Sequence, residues 1–160
     1  MPKNQKNQND VQVAKQSQPQ EVTKTSGSEV NSSVAVFEQI DQLIKSGQVS
    51  SAAQRIVQLI QSQKTFVQKL RPEERLTLGN LARRAGMALT SLKILRPVIR
   101  ALREGIGQVT DAEKVAYAAG LIALGALSEA ETLLAQVNES ETPEAFLFLG
   151  LGMFSQWRYG

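Results

Sequence analysis

Three glycines, Gly47, Gly86 and Gly125, stand 39 residues apart, and each follows a stretch with helical periodicity. Glycine readily adopts the left-handed backbone conformation that ends many helices. We therefore expect each of them to close the first helix of a helical hairpin. Because one hairpin cannot bury its apolar face alone, a repeat of this length predicts an all-α fold of stacked antiparallel hairpins, an α-solenoid.

The apolar residues predict seven short helices and no strand. From residue 34 onward, large apolar side chains recur at three- and four-residue spacing, as on a helix face. Pro97 should split the fourth helix near Arg96, since proline cannot continue a helical hydrogen-bond ladder. The expected helix starts are Ser50 or Ser51, Pro72, the capping-box pairs Thr110/Glu113 and Ser128/Glu131, and Thr142-Pro143-Glu144.

The chain divides into a polar tail, residues 1–33, and a helical domain, residues 34–160. Nine of the first twenty residues are Asn or Gln. Such a segment buries too little apolar surface to offset its ordering entropy, so we expect disorder. Self-association of an Asn/Gln-rich tail is the less favoured alternative, because the tail has no aromatic residue. The helical domain is expected to contain units at about 34–63, 72–104, 110–138 and an incomplete unit at 142–160.

Two segments match the residue pattern of a known repeat family. Phe146-x2-Leu149-Gly150-x2-Met153 matches it best, followed by Arg75-x2-Leu78-Gly79-x2-Ala82 with Ser91-x3-Leu95. In the third unit the corresponding pair is Ala119-Gly120. Over residues 34–160 the chain resembles the tetratricopeptide repeat (TPR) family, although its spacing is longer. The resemblance implies a scaffold or adaptor whose first helices line a concave groove for extended or helical peptides.

Given that resemblance, groove residues are those of the first helices that point away from their own hairpin partner. The groove should be basic and polar near Asn80, and apolar near its far end. Packing between units is an equal alternative for Leu121, Leu124 and Leu151. Arg83 and Arg84 are expected to face solvent and to favour an acidic peptide. The full set is Phe37, Asp41, Lys45, Asn80, Arg83, Arg84, Tyr117, Leu121, Leu124, Leu151 and Phe154.

Enzymatic chemistry has little support in the sequence. With no Cys and no His, thiolate and imidazole catalysis and most structural zinc sites are excluded. Paired carboxylates such as Glu73/Glu74 lie at helix starts or in loops, and Gly105-Ile106-Gly107 does not follow a strand. We expect a non-enzyme without cofactor or metal. A chemically active region elsewhere would make this chain the regulatory array of a larger enzyme.

Charge is distributed unevenly. Residues 64–104 carry ten Lys/Arg and three Glu, whereas residues 105–160 carry two Lys/Arg and seven acids. Lys93, Arg96, Arg100 and Arg103 form one helical stripe. A solvated helix face is the favoured interpretation. The alternative is a nucleic-acid-binding surface, weakened by the lack of aromatic residues for base stacking.

The sequence also predicts where in the cell the protein is located. Val115 to Ser128, the longest uncharged window outside the tail, is shorter than the roughly 20 residues of a membrane-spanning helix. The N-terminus has no apolar signal region, and the absence of Cys suits a reducing compartment, so we expect a cytoplasmic protein.

The last predicted helix has an apolar stripe without a covering helix, formed by Phe146, Leu149, Met153 and Phe154. We expect the N-terminal part of a longer array, with completion by another chain as the less favoured alternative. Taken alone, the chain should self-associate through this stripe or fray from about Thr142 onward.

Overall fold

The computed structural model describes residues 26–62, 65–106, 108–138, 140 and 142–157. Every regular element within these residues is a helix, so the expected all-α class is confirmed. The helices are α1 (Ser26–Lys45), α2 (Val49–Ser62), α3 (Phe66–Lys69), α4 (Pro72–Arg84), α5 (Ala88–Ile94), α6 (Arg96–Glu104), α7 (Asp111–Ala123), α8 (Leu127–Leu134) and α9 (Glu144–Trp157).

The three repeated glycines end α1, α4 and α7 with the same turn. Their φ angles are 79°, 75° and 78°, in the left-handed region. In each turn the residue after the glycine donates its amide to a carbonyl five residues back, which is the Schellman motif. The three bonds are Gln48 to Leu43 (2.8 Å), Met87 to Ala82 (2.8 Å) and Ala126 to Leu121 (3.0 Å). The next helix then begins two residues after each glycine, and the predicted ends of these helices at Gly47, Gly86 and Gly125 are confirmed.

This turn explains which helix starts were predicted wrongly. Ser50 and Ser51 lie inside α2, and Ser128 lies inside α8, whose N-cap is Ala126 without a side-chain cap bond. Because the Schellman turn leads straight into the next helix, no cap residue is needed there. Away from these turns, the helix starts predicted from capping residues and proline agree with the structure.

The predicted starts of α4 and α7 are confirmed. Pro72 is the first residue of α4. Thr110 Oγ1 accepts from the Glu113 amide (3.3 Å), and the Glu113 carboxylate accepts from the Thr110 amide (3.0 Å). The predicted break at Pro97 is confirmed as well, since α5 ends at Ile94 and α6 begins at Arg96.

The predicted tail, residues 1–33, overlaps α1, which includes Ser26 to Ser33. The Ser33 hydroxyl donates to a carboxylate oxygen of Glu74 in α4 at 2.7 Å. Adding turns to a helix that is already anchored costs little, since the nucleation step has been taken. Residues 1–25, on which the disorder prediction rests, lie outside the described residues.

The first helices form a row. Along the row, α1 contacts α4, α4 contacts α7, and α7 contacts α9. In addition, α1 contacts α2, α4 contacts α5, and α7 contacts α8. Ser33 bonds Glu74, and Asp41 bonds Arg84 further along both helices, so α1 and α4 run parallel. One core lies between α1, α2 and α4, and a second between α7, α8 and α9.

The short helix α3 was not predicted, because its four residues are too few to show a period. Its Phe66 and Val67, followed by the buried Leu70, pack on the first core. Across the described part of the chain, no helix is both long and apolar enough to cross a bilayer.

Candidate interaction surfaces

A groove of about 1440 Å³ lies between α1 and α4. Apolar side chains, among them Val34, Phe37 and Leu81, contribute to its lining. Polar and charged side chains from both helices complete the wall. The structure thus brings five of the predicted groove residues to one place: Phe37, Asp41, Lys45, Asn80 and Arg84.

Asp41 pairs with two of the predicted basic groups of this groove. One of its carboxylate oxygens lies 2.6 Å from Lys45 Nζ, and the other lies 2.6 Å from Arg84 Nη1. The hydrogen bond from Lys45, followed by that from Arg84, lowers the pKa of Asp41 below its ordinary value. The Asp41–Arg84 pair therefore links α1 to α4.

The wall of this groove is slightly acidic, not basic as the sequence predicted. Four acids, Glu38, Asp41, Glu73 and Glu74, face three bases, Lys45, Arg71 and Arg84. The sequence analysis assigned Arg83 to the groove, which it does not line, and did not assign Glu38 of α1 or Glu73 and Glu74 of α4, which do.

Glu74 makes the second link between α1 and α4. Its carboxylate accepts from the Ser33 hydroxyl (2.7 Å) and from the backbone amide of Arg71 (3.0 Å). The Ser33 bond is the main cause that lowers the pKa of Glu74. Sequence analysis missed this pair, and the residues are too far apart in the chain for any local pattern to indicate it.

Arg83 was predicted to face solvent, but it does not. Its guanidinium lies over the ring of Phe148 in α9, 5.2 Å from the ring centre. Its Nε is buried without a hydrogen-bond acceptor among the described residues. Burial, followed by the neighbouring charge of Arg84, lowers the pKa of Arg83. The aromatic face replaces solvent around the cation, so Arg83 connects α4 to α9 instead of lining the groove.

The other predicted groove residues divide between core and surface. Leu121 is 7% exposed and belongs to the second core, against which Tyr117 also packs. The packing alternative therefore applies to Leu121. Phe37, although it lines the α1/α4 groove, is only 6% exposed. Leu124, Leu151 and Phe154 are exposed and do not line the α1/α4 groove.

The basic stripe lines a second groove of about 880 Å³ between α2, α3, α5 and α6. Ile60, Val67 and Ile94 contribute apolar surface to it. Arg100 is paired with Glu104 at 2.9 Å. Among the described residues no carboxylate lies within ion-pair distance of the other stripe members, Lys93, Arg96 and Arg103.

The outer face of α9 is a third surface. Phe146, Met153 and Phe154 are exposed, as the sequence predicted, whereas Leu149 packs on the second core. The structure adds Leu147 and Gly150, which sequence analysis did not assign to this face. Gly150 lies four residues after Phe146 and three before Met153, and Leu147 lies three before Gly150 and seven before Phe154. These helical spacings are the signal that could have identified them.

No family model, no curated protein and no solved structure matches the chain. The TPR resemblance stays an expectation.

Proposed function

We propose that this chain is a non-enzymatic protein-interaction scaffold, a TPR-like stack of helical hairpins that holds a partner peptide between α1 and α4. The observation that carries the proposal is the α1/α4 groove itself. Two helices that are distant in sequence run parallel and enclose a groove lined by apolar and hydrogen-bonding side chains. Five residues that the sequence assigns to a peptide groove line it.

The lining suggests the chemistry of the peptide. Val34, which is 46% exposed, offers an apolar surface, and the Asn80 amide can pair with the backbone of an extended segment. Because Arg84 and Lys45 share Asp41 as a partner and the groove lining holds four acids against three bases, an acidic peptide gains little here. We expect a peptide with an apolar residue flanked by neutral or basic groups.

Selection from a displayed random peptide library tests this function. The selected peptides are then titrated against the wild type and two matched variants. Val34→Glu places a carboxylate in the groove, whereas Val49→Glu places one at a comparably exposed valine in α2 (46% and 39% exposed). Val34→Glu should weaken binding by about tenfold or more, equivalent to about 1.4 kcal/mol. Equal binding to all three proteins would contradict the groove assignment.

A nucleic-acid-binding surface is the second candidate, supported by the gathering of Lys93, Arg96, Arg100 and Arg103 on one groove. Phosphate contacts make log affinity fall linearly with log salt. For Arg96→Gln with Arg103→Gln, the slope for a fluorescent duplex should become about two units shallower if both residues meet phosphates. No binding of single- or double-stranded probes at low salt would exclude this candidate.

A further inference from the structure

The second groove, between α2, α3, α5 and α6, has an apolar floor and a basic rim. Ile60, Val67 and Ile99 line it and are half-buried, so they form its floor. The four basic side chains of the stripe also line it and are exposed, so they form its rim. Among the described lining residues, Glu104 is the one acid. The groove therefore offers an anionic ligand both opposite charge and an apolar surface to cover.

Three of the four rim cations have no ion-pair partner within the described part of the chain. Arg100 pairs with Glu104, whereas Lys93, Arg96 and Arg103 have no carboxylate within ion-pair distance there. Arg96 and Arg103 stand seven residues apart on α6, about 10 Å along the helix axis. Carboxylates placed three, four and seven residues apart on a partner helix have the spacing to meet this rim.

The two undescribed ends of this chain do not have the charge that the rim requires. Residues 1–25 and 158–160 together contain five Lys/Arg and two acids. Either end would bring like charge to the rim, which is unfavourable. The α1/α4 groove, by contrast, holds four acids against three bases. The two grooves therefore favour partners of opposite charge, and the second groove suits an acidic segment of another protein.

The lining of the second groove favours an acidic protein segment over nucleic acid. Proteins that bind single strands stack the bases on aromatic side chains, and no aromatic residue is among the described lining residues. Duplex DNA is read by a helix or a pair of strands that enters its major groove, whereas here the basic side chains line a concave groove. An apolar floor adds nothing to phosphate contacts, but it can receive the apolar face of an amphipathic helix.

We propose that the second groove binds an acidic amphipathic segment of a partner protein. The carboxylates of that segment pair with Lys93, Arg96 and Arg103, and its apolar side chains cover the floor. This site is additional to the α1/α4 groove and uses a different surface. It is an alternative to the nucleic-acid candidate, because both use the same basic side chains.

Selection from a displayed library of helix-forming peptides tests the proposal. The library is first depleted on a variant with Lys93→Gln, Arg96→Gln and Arg103→Gln, and the remaining peptides are selected on the wild type. Because these three side chains are exposed, circular dichroism should show unchanged helicity in the variant. The selected peptides should be enriched in Asp or Glu at positions three, four and seven apart, next to large apolar residues. Selected peptides without such acidic residues would overturn the proposal.

Titration of one selected peptide measures what the rim and the floor contribute. Arg96→Gln with Arg103→Gln should weaken binding at least about tenfold. Arg55→Gln with Lys69→Gln is the matched control, because both residues are exposed, lie outside both grooves and remove the same charge. Equal affinity of the two double variants would overturn the proposal. Serine in place of the apolar residues of the peptide should also weaken binding at least about tenfold, and an unchanged affinity would overturn the proposed floor.

Two further results would assign the second groove to another occupant and overturn the proposal. One is tighter binding of fluorescent single- or double-stranded nucleic acid than of the peptide at the same salt, weakened by the same arginine substitutions. The other is self-association of the chain that these substitutions abolish. Val34→Glu should bind the acidic peptide as the wild type does, so the failure of one groove can be distinguished from the failure of the other.

Discussion

Gly79 in α4 and Gly150 in α9 follow a leucine in the same local pattern, yet their surroundings are opposite. Leu95 packs on Gly79 so closely that a methyl group would not fit, whereas no described atom lies within 4 Å of a Cβ added at Gly150. The difference shows that the leucine–glycine pattern specifies a place where another segment can approach and does not specify which segment does so. In α4 the covering side chain is Leu95, which lies between α5 and α6. In α9 no described residue covers the glycine.

The largest expected effect comes from removing the side chain that covers Gly79. Leu95 is 1% exposed, so Leu95→Ala should lower the free energy of unfolding by about 2–5 kcal/mol. Met153→Ala, on the exposed α9 face, should change it by no more than about 0.5 kcal/mol in dilute solution. Urea denaturation followed by circular dichroism measures both. Equal losses would mean that the two faces are equally covered.

An intermediate effect, opposite in sign at the two sites, is expected from the glycines themselves. Gly79→Ala should destabilise the protein, since overpacking costs about 1–3 kcal/mol and improved helix propensity returns about 1 kcal/mol. Gly150→Ala should instead stabilise it by about 0.5–1 kcal/mol, because only the propensity gain applies. The same denaturation experiment compares them.

A double substitution sharpens the comparison at Gly79. In the Leu95→Ala background the clash is gone, so Gly79→Ala should become neutral or stabilising. Destabilisation by Gly79→Ala of the same size in both backgrounds would show that Leu95 is not the cause.

Whether a feature of this fold could be predicted from the sequence depends on how far apart in the chain the interacting residues lie. The glycine turns, the Thr110 cap and the break at Pro97 depend on residues within a few positions of each other, and they were predicted correctly. The pairing of Asp41 with Arg84 and the stacking of Arg83 on Phe148 join residues from different units. No local pattern contains them, so the groove charge and the exposure of Arg83 were predicted wrongly.

The smallest expected effect concerns acid. The pKa values of Asp41 and Glu74 are lowered in the folded protein, so their bonds stabilise it above the ordinary carboxylate pKa of about 4. This contribution is lost as pH falls through the lowered values. Between pH 5 and pH 2, approximately, the denaturation midpoint should therefore fall less for Asp41→Asn than for the wild type. An identical fall would show that the α1/α4 link does not depend on this carboxylate.

Hydrogen exchange can show whether acid weakens α1 and α4 more than α9, at the other end of the row of helices. Acidification should lower the protection of α1 and α4 amides, corrected for intrinsic exchange rates, more than that of α9. The reason is that the described side chains of α9 after Glu144 contain no carboxylate.

The comparison between Gly79 and Gly150 is tested most directly by paramagnetic relaxation from a soluble, uncharged agent. The relaxation is measured by NMR on protein dilute enough to be monomeric. The Gly150 α-protons and the Met153 methyl group should relax strongly, whereas the Gly79 α-protons and the Leu95 methyl groups should be shielded. If Gly150 in the monomer is shielded as well as Gly79, the α9 face is already covered and the account is wrong.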